Sequence, residues 1–136
     1  MREGVPILLV EDDDVDAENV ARAFKKNRIS NPLYVAGNGE EALKVLQDKN
    51  SLRPGIILLD LNMPVMNGIE FLEVVKADSD LKTIPVIVLT TSREECDRVE
   101  SFRQSVAGYI IKPVEFEKFV EVVRTIDLYW TLSEIG

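Results

Sequence analysis

Histidine is absent from the 136 residues, cysteine occurs once, and no stretch gathers lysine and arginine together. Each absence removes a class of function. Without histidine there is no imidazole for acid–base catalysis or metal ligation, and no phosphohistidine for the chain itself to donate. The lone Cys96 excludes an internal disulfide and a two-cysteine metal site, and nothing near it suggests redox chemistry. Lys and Arg total 16 against 24 Asp and Glu, a net charge of −8, so no clustered positive charge is available to neutralise a nucleic-acid backbone. No apolar run approaches the roughly 20 residues that a membrane span requires. Met1-Arg2-Glu3-Gly4 leads into a short apolar stretch ending in acids, which is not a signal-peptide pattern. The expectation is a cytoplasmic protein that binds neither nucleic acid nor membrane.

With 46% hydrophobic and 29% charged residues, the composition is that of an ordinary globular chain. The length fits one domain over 1–136, with its core at about 5–127 and an aromatic tail at 128–136. Short apolar runs recur at Val5–Val10, Leu33–Ala36, Ile56–Leu59, Pro85–Leu89 and Gly108–Ile111. They are β-branched and do not alternate with polar residues, as suits parallel strands covered on both faces. Helical patterns lie near Val15–Asn27, Gly39–Lys49, Asn67–Asp78, Glu94–Ser105 and Glu115–Leu128, with Asn38 placed to cap the second. This alternation predicts an α/β fold, a doubly wound five-stranded parallel sheet. Ligands on such sheets sit beyond the carboxyl ends of the strands.

Those ends carry a distinctive set of residues. Strand one runs into Glu11-Asp12-Asp13-Asp14, strand three ends at Asp60, strand four at Thr90 and strand five at Lys112-Pro113. Each has an ordinary reading by itself: a solvated acidic loop, a turn, a strand-end hydroxyl, a surface lysine before a helix-starting proline. Gathered at one sheet edge they make a poor structural device, because like charges repel in a partly dry cleft. A hard cation such as Mg²⁺, which takes oxygen ligands and keeps waters for an incoming phosphate, would relieve that repulsion.

With these residues in view, the sequence resembles the receiver domains of two-component signalling. The resemblance is carried by Glu11-Asp12, by Asp60-Leu61-Asn62-Met63-Pro64 with Gly68, by Thr90 and by Lys112-Pro113, and spans about Pro6 to Ile126. The intervals of 30 residues from Asp60 to Thr90 and 22 more to Lys112 are similar to those of the single-domain chemotaxis regulator. Leu89-Thr90-Thr91-Ser92 and the tail Leu128-Tyr129-Trp130 resemble the receivers paired with phytochrome-type kinases.

The resemblance implies a flavodoxin-like (βα)5 fold and a stand-alone response regulator that accepts a phosphoryl group from a sensor histidine kinase. It implies Asp60 as phosphoacceptor, with Thr90 and Lys112 on the phosphoryl oxygens. Asp12 would bind Mg²⁺ directly, Glu11 through water, and Asp60 and the Asn62 backbone carbonyl would complete the ligands. The family more often has Asp at the first acid, so Glu11 is a departure. Asp13 is expected to face solvent. Tyr109 matches the switch aromatic that follows Thr90 inward, or is an ordinary strand-edge tyrosine.

Three rivals are disfavoured by the residues present. An aspartate-nucleophile phosphatase would need an acid two positions after its nucleophile, where this chain has Asn62. A flavin binder would need a phosphate-cradling loop where Glu11-Asp12-Asp13-Asp14 stands. A scaffold that had lost phosphorylation would not need the complete residue set. On the last helix, Phe116, Val120 and Val123 suffice for a core stripe, which leaves Val122, Ile126, Tyr129 and Trp130 as a candidate homodimer or kinase surface. Alternatively, Tyr129 and Trp130 fold back over the domain.

Overall fold

The short apolar runs become the strands of one sheet. The structure, a computed structural model, describes residues 4–48, 53–61, 67–90, 94, 106–111 and 115–135, with side chains to residue 128. Strands β1 (Ile7–Val10), β2 (Leu33–Ala36), β3 (Ile56–Asp60), β4 (Val86–Thr90) and β5 (Gly108–Ile111) lie parallel in the order β2-β1-β3-β4-β5. Helices α1 (Asp14–Lys26), α2 (Gly39–Gln47), α3 (Gly68–Ala77) and α4 (Phe116–Ile135) alternate with them. The helical pattern expected near Glu94–Ser105 lies outside the described residues except at Glu94. No helix among the described residues is long and apolar enough to cross a membrane.

Alternation along each strand builds two cores, one on each sheet face. Leu8, Val10, Ile57, Leu59, Val86 and Val88 meet Ala42 and Leu43 of α2 and Phe71, Leu72 and Val75 of α3. Ile7, Leu9, Ile56, Leu58, Ile87 and Leu89 meet Val20, Ala23 and Phe24 of α1 and Phe119, Val123 and Ile126 of α4. Because both faces are covered, the strands carry continuous apolar runs with no polar alternation.

Local chemistry sets the helix ends. Asn38 caps α2 as its sequence suggests, its Oδ1 accepting from the Glu41 N–H at 2.9 Å. At the end of α1, Arg28 takes the left-handed conformation (φ 59°) that glycine usually fills. Its N–H donates to the Lys25 carbonyl and that of Ile29 to the Phe24 carbonyl, both at 3.0 Å, the paired bonds of a Schellman turn. Ile29 packs on the cluster that holds Phe24, adding the apolar contact that such turns favour.

The last helix corrects the expectation of a surplus apolar stripe. Ile126, read from sequence as an interface residue, is 2% exposed and belongs to the core, and Val122 is partly buried against the same cluster. The stripe is wide because α4 packs on two neighbours, the sheet and α1. Asn27 Nδ2 donates to the carbonyls of Ala23 and Val120, each at 2.9 Å, and the Arg22 guanidinium lies 4.4 Å from the centre of the Phe116 ring. The helix also runs on to Ile135, so the expected tail after Leu128 continues the helix. Leu128 is 58% exposed, and the side chains of Tyr129 and Trp130 lie outside the described residues.

Truncating a core isoleucine leaves a cavity that surrounding atoms fill only partly, so Ile126→Ala should cost about 2–5 kcal/mol. Urea unfolding should return that loss at every protein concentration. A loss below about 1 kcal/mol, or one that appears only where the chain associates, would return Ile126 to the surface.

Candidate functional site

The strand order places β1 and β3 side by side, and the connections leaving their carboxyl ends run in opposite directions, from β1 to β2 and from β3 to β4. That divergence opens the crevice in which open α/β sheets bind ligands. Val10 stands beside Leu59 in the β1–β3 register, and the residues that follow are Glu11 and Asp60. Strand alternation directs both toward the α1–α4 face. The Glu11 N–H donates to the Ala36 carbonyl at 2.9 Å, which carries the β1–β2 pairing one residue past β1.

Glu11 is 2% exposed, Asp60 8%, and Asp12 is exposed. One carboxylate oxygen from each lies within 4.8 Å of the others. At about 5 Å and an effective dielectric near 20, two carboxylates repel by roughly 3 kcal/mol. Three such groups with hard oxygen donors, two of them buried, form a donor set that suits a divalent cation. This juxtaposition joins the three acids singled out in the sequence.

The acidic run divides by role. Asp13 is exposed, as expected, and also caps α1, its Oδ1 accepting from the Asp16 N–H at 3.0 Å. Its own N–H donates to Glu11 Oε2 at 3.4 Å. Helix α1 therefore starts directly behind the carboxylate cluster. The capping role was readable from the spacing of Asp13 and Asp16 but was missed.

Thr90 closes β4 and is 1% exposed. Alternation puts it on the same face as Val86 and Val88, and Tyr109, opposite Val88 in the β4–β5 register, packs against that same cluster. Thr90 and Tyr109 thus share one side of the sheet, with Tyr109 half-buried. Lys112 and Asn62 lie outside the described residues.

Residues 7–124 match the family model of the response regulator receiver domain. The chain belongs to that family. The receiver is 39% identical over 128 residues to response regulator Rcp1 of Synechocystis sp., covering 91% of this chain and 87% of that protein. Among solved structures, the phosphorylated cyanobacterial phytochrome response regulator RcpA aligns with a TM-score of 0.83 at 34% identity, covering 93% of this chain and 94% of that one. The Mn²⁺-bound form of response regulator Rcp1 aligns at 0.82 and 38% identity with the same coverage.

A cation that binds only the folded receiver stabilises it by mass action, about 1.4 kcal/mol at a tenfold excess over Kd. Millimolar Mn²⁺ should therefore raise the melting temperature, and Asp12→Ala should remove most of the increment. A wild-type melting temperature indifferent to the ion would count against the site.

Proposed function

We propose that this receiver acts as a response regulator in a two-component phosphorelay and takes a phosphoryl group from a sensor histidine kinase on Asp60. The observation that supports this most strongly is the meeting of Glu11, Asp12 and Asp60 within 4.8 Å at the ends of β1 and β3. Mg²⁺ is the proposed cofactor, held by the Asp12 and Asp60 carboxylates and the Asn62 carbonyl, with Glu11 acting through water. When bound, the ion supplies positive charge to the phosphoryl oxygens.

The side chains do the remaining work of positioning and charge neutralisation. An Asp60 carboxylate oxygen attacks phosphorus in line, the new O–P bond forms as the P–N bond to the kinase histidine breaks, and the imidazole leaves with a proton. The Thr90 hydroxyl donates to one phosphoryl oxygen and the Lys112 ammonium pairs with another. The acyl phosphate later hydrolyses slowly, so the protein is a switch and not a turnover enzyme. Thr90 and Tyr109, on one side of the sheet, form the element whose position the phosphoryl group biases.

Similarity to Rcp1 and RcpA supports a phytochrome-type kinase as donor. The negative charge and the lack of a basic run support a cytoplasmic protein with protein partners and without nucleic-acid or membrane contacts. We assign homodimerisation to the far end of α4, which runs nine residues beyond Ile126 and carries the exposed Leu128 followed by Tyr129 and Trp130. Val122 is partly buried against the core cluster, and the burial of Ile126 excludes it from that surface.

Incubation with acetyl phosphate and Mg²⁺ should give one hydroxylamine-labile phosphoryl adduct on the wild-type chain and none on Asp60→Asn. An adduct that survives in the variant would move the acceptor elsewhere. Light scattering should show a dimer that Trp130→Ala or Leu128→Ala weakens. A wild-type monomer at high concentration, phosphorylated or not, would leave the kinase as the partner for that end of α4.

A further inference from the structure

Gly68 opens α3 directly against the strand end that carries Asp60. A Cβ built at Gly68 would lie 2.7 Å from both Cα and Cδ2 of Leu61, and 3.0 Å from the Asp60 carbonyl oxygen. Two of those three atoms are backbone, so no side-chain rotation relieves the overlap. The Gly68 N–H donates to the Leu61 carbonyl at 3.0 Å, and Leu61 is itself buried. A capping box fixes the helix start, with Asn67 Oδ1 accepting from the Glu70 N–H at 2.9 Å and Glu70 Oε1 accepting from the Asn67 N–H at 3.4 Å. The beginning of α3 is therefore held at a set distance from the Asp60–Leu61 peptide.

We propose that Gly68 is a positioning residue for the Asp60 carboxylate, setting its spacing from Glu11 and Asp12 through the close seat of α3 on that peptide. This inference rests on reading the three acids as a divalent-cation site. Its mechanical basis is a contrast in stiffness. The β3 ladder is paired on both sides, to β1 and to β4, and its last pair is Asp60 with Leu89. The body of α3 is anchored by the fully buried Phe71, Leu72 and Val75. The segment between these anchors, the Asp60–Leu61 peptide and the first turn of α3, must absorb any added atom. Metal–ligand distances in a well-formed site fall within about 0.2 Å of their usual values. Gly108 offers an internal control, because a Cβ there meets nothing within 4 Å.

The test compares wild type, Gly68→Ala and Gly108→Ala, with Mn²⁺ alone as the probe. The free ion is counted by electron paramagnetic resonance well below each melting temperature. Gly68→Ala should raise the Mn²⁺ Kd about tenfold, the usual scale for groups that orient metal ligands, while Gly108→Ala leaves it unchanged. A Gly68→Ala chain that melts earlier yet binds Mn²⁺ within about twofold of wild type would make the glycine structural only and overturn the proposal. Should that variant not fold, Asn67→Ala loosens the same helix start without adding an atom against Leu61. A several-fold rise in its Kd supports the proposal, and an unchanged Kd overturns it. Wild type that binds no Mn²⁺ overturns the cation reading and this inference together, whereas tight wild-type binding with insensitive variants overturns the inference alone.

Discussion

The register of β1 against β3 is the constraint on which the site depends. Glu11 and Asp60 lie together because Val10 pairs with Leu59, and a one-residue slip would turn one carboxylate to the opposite face of the sheet. Hydrophobic patterning alone does not prevent that slip, since both faces of these strands are apolar and would exchange without exposing a polar side chain. The acids themselves act as stops. Drawing Asp60 one step inward would set its carboxylate beside Val10 in the apolar cluster on the opposite face, a burial that costs several kcal/mol. The groups suited to bind a cation at the strand ends thus also oppose the wrong pairing.

Helix α1 joins this edge of the sheet to α4. Its first turn is capped by Asp13, the neighbour of Asp12, and its last is tied to α4 through Asn27 and the Val120 carbonyl. Arg22 over Phe116 adds a second tie between the same two helices. Both helices bury their apolar sides in one cluster with Ile7, Leu9 and Leu58. The width of the α4 stripe follows from this arrangement: a helix that serves both a sheet and a flanking helix needs apolar residues over a broader arc than one that serves the sheet alone.

What the sequence made legible was whatever depends on local pattern. Unbroken β-branched runs located all five strands to within two residues, since burial on both faces leaves little else for such runs to be. The strand-end acids were legible because the fold class already fixes where strand ends converge. Helix starts showed where a capping residue declares itself, as at Asn38. Features that need a tertiary partner were not legible. Ile126 looked surplus because its burial depends on α1, more than 90 residues away in the chain, as the 93-residue separation of Asn27 and Val120 illustrates. The Arg28 turn lacked its usual glycine, and the seat of Gly68 on Leu61 depends on an approach between backbones that no periodicity encodes. The end of α4 was misplaced although no stop signal stands near Leu128, and the helix continues to Ile135.

A division of labour follows from where the charges sit. Glu11 and Asp12 lie beyond β1, and Asp60 and Thr90 are the last residues of their strands, so the apolar clusters that hold the sheet contain none of the four. Repulsion among the carboxylates falls at the rim of the sheet, where the β3 ladder ends on the Asp60–Leu89 pair and the chain goes on toward α3. Only the chain beyond that last pair lies outside the strand pairing. Neutralising the cluster changes the forces on the Asp60–Leu61 peptide and on the start of α1 while the core beneath stays packed. A site built at the exhausted end of a rigid sheet can therefore carry strained chemistry and transmit small displacements without risking the fold that supports it.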